Sequence, residues 1–103
     1  MAQLETVSLA QLTPLTVLLV WTSNSLYRFV VNEGTSVYVQ GGALFPDPTE
    51  AFLDGASVPG RGYLKVGWIG VGCAMEIRTG LRRIVTSPVR AIATEQQSPA
   101  FIH

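Results

Sequence analysis

The stretch from Leu15 to Val31 consists of two short apolar runs separated by the polar break Thr22-Ser23-Asn24-Ser25. Alternate side chains of a strand point to opposite faces, so Leu15, Val17, Leu19 and Trp21 share one face, while Leu18 and Val20 join Tyr27, Phe29 and Val31 on the other. Both faces are apolar. A small domain buries only one of them in its own core, so the other calls for cover from the N-terminal arm, from a second layer or from another copy of the chain.

Runs of this kind, rich in Val, Ile, Thr, Tyr and Phe and bounded by Gly, Pro, Asn and Ser, recur along the sequence and predict an all-β domain. Strands are expected over Leu15 to Thr22, Ser25 to Asn32 and Thr35 to Gln40, with turns at Ser23-Asn24 and Asn32-Glu33-Gly34. Asp47-Pro48-Thr49-Glu50 carries an N-cap acid, proline at the first helical position and glutamate three residues after the cap, and Gly55 suits a C-cap. The spacing predicts a short helical turn from Pro48 to Asp54, although residues 50–54 also read as a strand, and a loop follows over Gly55 to Gly62. Ile69 to Arg78 and Leu81 to Ser87 form the clearest hairpin. Closure by Thr79-Gly80 would set Arg78 opposite Leu81, Glu76 opposite Arg83 and Met75 opposite Ile84. Pro88 interrupts the ladder, and Val89 to Ala93 is expected to cross to another edge. Residues 1–13 form an arm in which Leu4, Val7, Leu9 and Leu12 make one side of a short helix or lie across the barrel. Residues 14–93 form the domain, and residues 94–103 form a tail.

Composition sharpens this picture. Of 103 residues, 48% are hydrophobic and only 14% charged, with a formal net charge of zero, so the surface is short of charge and favours association. The same balance speaks against nucleic acid or an acidic membrane as partner. A single cysteine, Cys73, excludes an internal disulfide framework and suits a reducing compartment. The apolar run Leu15 to Trp21 is far shorter than the ~20 residues a membrane helix needs. Residues 1–13 contain Glu5 and no lysine or arginine, unlike a signal peptide. A cytoplasmic protein is expected.

Candidate chemistry is thin. The sole histidine, His103, stands at the end of the sequence, which removes a catalytic triad or a histidine metal site. Cys73 reads as a small core residue in line with Ile69, Val71, Met75 and Ile77. Asp47, Glu50 and Asp54 are the nearest thing to a carboxylate cluster, yet helix capping and a turn account for them. Arg78, Arg82, Arg83 and Arg90 gather positive charge late in the chain and, with Tyr27, Tyr38 or Trp68, could hold a single nucleic-acid strand; Arg83, however, is expected to face Glu76. Gly70, Gly72 and Ala74 mark either a groove or the strong coiling of a closing barrel.

Two resemblances rest on these residues. Arg78-Thr79-Gly80-Leu81-Arg82 has the R-x-x-x-R spacing with which bacterial PilZ barrels grip cyclic dinucleotides, but no D/N-x-S-x-x-G strand follows it. Gly67-Trp68-Ile69-Gly70-Val71-Gly72, followed by Arg83-Ile84-Val85-Thr86-Ser87-Pro88-Val89-Arg90-Ala91-Ile92, resembles the closing hairpin and last strand of small bacterial and phage-associated SH3-like barrels. That resemblance implies an SH3-like barrel of five to six antiparallel strands and carries no functional residue over. The expected function is a non-enzymatic interaction or assembly module without cofactor or metal. It would form a homo-oligomer, with a dimer favoured, through Leu18, Val20, Trp21, Tyr27 and Phe29, and an unidentified protein is a further candidate partner. The alternatives are a single-stranded nucleic acid or nucleotide binder using Arg78, Arg82 and Arg90, and an enzyme with an unrecognised site.

Overall fold

The computed structural model describes residues 3–58 and 60–95. Their regular elements are β1 (Gln3–Leu4), β2 (Thr6–Ser8), a 3-10 turn at Leu9–Gln11, β3 (Val17–Thr22), β4 (Leu26–Val31), β5 (Ser36–Gly41), β6 (Phe45–Ser57), β7 (Leu64–Val66), β8 (Trp68–Gly70), β9 (Ala74–Thr79), β10 (Arg82–Val85) and β11 (Val89–Glu95). The fold is all-β and antiparallel throughout. A 9-stranded sheet runs β1-β11-β3-β4-β5-β6-β9-β10 with β7 added to β6, while β2 and β8 form a 2-stranded sheet. Its end strands β1 and β10 do not pair, so among the described residues the sheet is open. It therefore exceeds the expected five to six strands. β1, β6 and β7 supply the additional ones.

The meander from β3 to β5 follows the sequence pattern. Leu18 lies opposite Phe29 and Val20 opposite Tyr27 on one face, with Leu19 opposite Arg28 and Trp21 opposite Leu26 on the other. The neighbouring strands decide which face turns inward. Val37 and Val39 of β5 and Ile92 of β11 continue the row of Leu18, Val20, Phe29 and Val31, and all of these are buried. Each such side chain contributes about 1.5–3 kcal/mol when fully removed from water. The N-terminal residues complete the same core, since Val7 and Leu9 are buried and Leu4 and Leu12 pack against it.

The expected helix at residues 48–54 is a strand. Its capping signals are local, whereas Ala51 and Leu53 alternate into the core between Val37 and Ile77, and tertiary burial prevails. Thr49 Oγ1 donates to the Asp47 carbonyl at 2.8 Å. Pro46 and Pro48 are tolerated because β9 pairs with β6 only from Phe52 onward, leaving that side of residues 45–50 without a strand to receive their missing N–H groups. Beyond Leu53 the same strand serves β9 on one side and β7 on the other. Gly55 makes this close approach possible, because a Cβ there would stand 2.2 Å from the Lys65 carbonyl oxygen at a φ of +154°.

The β9–β10 hairpin closes one residue later than expected. Thr79 pairs with Arg82 and Arg78 with Arg83, so Gly80-Leu81 is the loop. Gly80, with φ +57°, supplies the left-handed first position that such a two-residue turn demands. Each partner moves by two positions, so every side chain keeps its face. Residues 69–78 are likewise not one strand. β8 ends at Gly70, residues 71–73 turn, and the Gly72 N–H and the Cys73 carbonyl bond Val89 at 2.8 Å each.

Candidate functional site

The outward side of β3, β4 and β5 carries Leu19, Trp21, Leu26, Val30 and Tyr38, together with Arg28 and Gln40. Trp21 faces Leu26, Val30 faces Tyr38, and Phe52 continues the row from β6 beside Ser36. Leu26 is 44% exposed, Tyr38 41% and Phe52 41%, while Leu19, Trp21 and Val30 are half-buried. Charge enters this face at Arg28, which lies on β4 between Leu26 and Val30 and opposite Leu19 and Gln40, and at its edge at Arg78. Arg28 Nη2 donates to Glu95 Oε2 at 3.2 Å, and Arg78 grips Asp54 through two bonds of 3.2 Å while its guanidinium lies 4.7 Å from the Phe52 ring centre. Such exposed pairs add little stability. Their effect here is to neutralise the guanidinium group within the apolar face, that of Arg28, and the one at its edge, that of Arg78.

Four of the five expected association residues lie elsewhere. Leu18, Val20 and Phe29 are fully enclosed, and Tyr27 is half-buried on the inner side with its ring 6.2 Å from that of Phe29. Correcting the placement leaves Trp21 on the outer strip. Sequence reasoning missed Leu26, Val30 and Phe52 there, although the alternation across the Ser23-Asn24 turn would have paired Leu26 with Trp21 once the inner face was known.

The late arginines do not converge. Arg78 and Arg83 are held by Asp54 and Glu76, and Arg90 Nε donates to Ser23 Oγ at 3.2 Å beside the β3–β4 turn. Arg82 pairs with Thr79 and Arg78 with Arg83, so Arg78 and Arg82 point to opposite faces. The R-x-x-x-R grip is not formed. Asp54 is taken by Arg78, and no group of three or more His, Cys, Asp or Glu side chains stands in metal-binding array among the described residues. His103 lies outside them.

Two hollows flank the β6–β7 hairpin. One, of about 320 Å³, is bordered by Tyr63, Leu64, Glu76, Arg83 and Val85. Glu76 is 7% exposed, and the Arg83 guanidinium donates to its Oε1 through Nε at 3.0 Å and through Nη2. Those hydrogen bonds hold the Glu76 carboxyl below its ordinary range against the opposing effect of burial, and raise Arg83 in return. The pair is the one expected from the sequence, reached diagonally rather than directly across the hairpin. The other hollow, of about 200 Å³, is bordered by Ala56, Tyr63, Lys65, Trp68 and Cys73, with Lys65 Nζ 3.8 Å above the Trp68 ring. Cys73 is therefore not a core residue. The turn at 71–73 leaves it half-buried on the wall of that cavity. Gly70 lines the cavity too, whereas Gly72 sits in the exposed turn, so the two do not make a groove along one strand.

No helix among the described residues is long and apolar enough to cross a membrane. No known protein family, curated protein or solved structure matches this chain.

Proposed function

We propose that this protein is a non-enzymatic assembly module that self-associates through the outer face of β3, β4 and β5. The supporting observation is the cluster Leu19, Trp21, Leu26, Val30 and Tyr38 on one face, where Arg28 in its midst and Arg78 at its edge are already paired with carboxylates. A largely apolar face whose charges are already paired suits a protein interface. A second copy suits it because the chain has no net charge to repel its like, and a homodimer is the smallest assembly that covers the strip.

Leu19→Glu tests the reading, since it replaces apolar contact area at the centre of the face with a carboxylate opposite Arg28, without entering the core. Light scattering of the folded variant should report loss of the face-to-face contact. An unchanged assembly mass, or a wild type that is monomeric at high concentration, would overturn it. Mixed single-stranded oligonucleotide in the same experiment tests the alternative, which requires binding that fades steeply with salt.

A further inference from the structure

A sheet that is not closed must manage its edges, because an edge strand presents unpaired N–H and C=O groups to any passing strand. This fold blunts most of them. β1, β2, β7 and β8 are only 2 or 3 residues long, and the free side of β6 carries Pro46 and Pro48. β10 is the exception. It ends the sheet with 4 residues and no proline; of its two arginines Arg83 is paired with Glu76, Val85 is 58% exposed, and the loop before it carries a fully exposed Leu81.

The hydrogen-bond pattern shows which groups are on offer. The Thr86 N–H bonds the Met75 carbonyl at 2.9 Å, so the bonded pairs alternate along the hairpin as Thr86 with Met75, Ile84 with Ile77 and Arg82 with Thr79. The N–H and C=O of Arg83 and Val85 therefore point away from β9. They have the spacing a neighbouring antiparallel strand needs.

We infer that β10 is a second self-association edge, pairing antiparallel with β10 of another copy about a two-fold axis at Ile84. That axis places Arg83 of one copy opposite Val85 of the other, twice over, and these are the residues whose backbone groups point outward. It sets Ile84 beside its own copy, where the two extend the inner apolar row, and it places no arginine opposite an arginine. A two-fold axis at Arg83 would do the reverse, and like charges directly opposite destabilise a pair. The occupant is a second copy because the strand is self-complementary in this register and the chain is uncharged overall. The inference is independent of the outer-face contact, which lies on β3 to β5.

The test uses Val85→Lys. In the same chain Val85 lies opposite Glu76, so the lysine gains an attractive neighbour and the fold is kept. In the proposed pair it faces Arg83 of the other copy and repels it. In the Leu19→Glu background, where the outer face is disabled, the protein should remain a dimer at twice the 11.1 kDa chain mass, and adding Val85→Lys should halve that mass. Val85→Pro should do the same, because it removes an outward N–H and leaves the bonds to β9 intact. Amide exchange of Arg83 and Val85 should slow with protein concentration in the Leu19→Glu protein and lose that dependence in the double variant. A Leu19→Glu protein that is already monomeric, including one whose edge accepts only foreign peptides, would overturn the inference. So would a dimer that survives both changes at Val85. If Val85→Lys alone gives a monomer, the edge contact stands and the outer-face reading falls.

Discussion

Leu18 and Leu19 are adjacent, chemically identical and placed on opposite faces of β3, which makes them a direct probe of the assignment of core and surface. Leu18 has no exposure and packs in the row with Phe29 opposite, whereas Leu19 is half-buried opposite Arg28. Leu18→Ala removes buried carbon and leaves a void that an enclosed sheet core cannot fully collapse, at a cost of about 2–5 kcal/mol. For a domain of this length that lowers Tm by roughly 10–30 °C. Leu19→Ala forfeits only part of the burial of the same atoms, no more than about 1 kcal/mol. Urea and thermal unfolding followed by circular dichroism, at a concentration that keeps both variants monomeric, should separate them by at least about 1 kcal/mol. Equal losses, or a larger loss at Leu19, would refute the inner-face assignment and with it the outer strip.

Two further outcomes follow from particular contacts. Because Arg83 holds the Glu76 carboxyl below its ordinary value of 4.5, the pair contributes stability that is present above that pH and lost as pH falls through the depressed value; Glu76→Gln should flatten the acid limb of a Tm profile between about pH 2 and 7, and an unchanged limb would refute the coupling. Gly55→Ala should cost far more than its one methyl group, because its Cβ would meet the Lys65 carbonyl oxygen, and a melting temperature within about 2 °C of wild type would contradict the tight β6–β7 approach.

What was legible in the sequence was the alternation. The β3–β4–β5 meander, the late hairpin and the Glu76–Arg83 pair all follow from period-two patterning and turn residues that sit next to the strands they join. The inner face of β3 was not legible, because Leu18 and Val20 look no more apolar than Leu19 and Trp21. Only Val37, Val39 and Ile92, far along the chain, decide between them. β6 was hidden for a related reason. Asp47, Pro48 and Glu50 carry strong local helix signals, and their refutation comes from Val37 and Ile77, which close on Ala51 and Leu53 from either side. The cavity beside Trp68 depends on a loop returning across β6, and nothing in the spacing of Tyr63, Lys65, Trp68 and Cys73 announces it.

The position of β11 in the sheet has a consequence for synthesis. It fills the gap between β1 and β3, and the contacts it brings are distant in sequence: the Arg28–Glu95 and Ser23–Arg90 bonds each join residues 67 positions apart. Sheets closed by such non-local pairings fold slowly, in milliseconds to seconds, because the loop must close before the contacts form. While the chain is being made, β3 has β4 on one side and nothing on the other until Val89 to Glu95 have left the ribosome. During that interval the apolar run from Val17 to Trp21 is an uncovered edge, and the hazard of premature pairing between nascent copies is concentrated there.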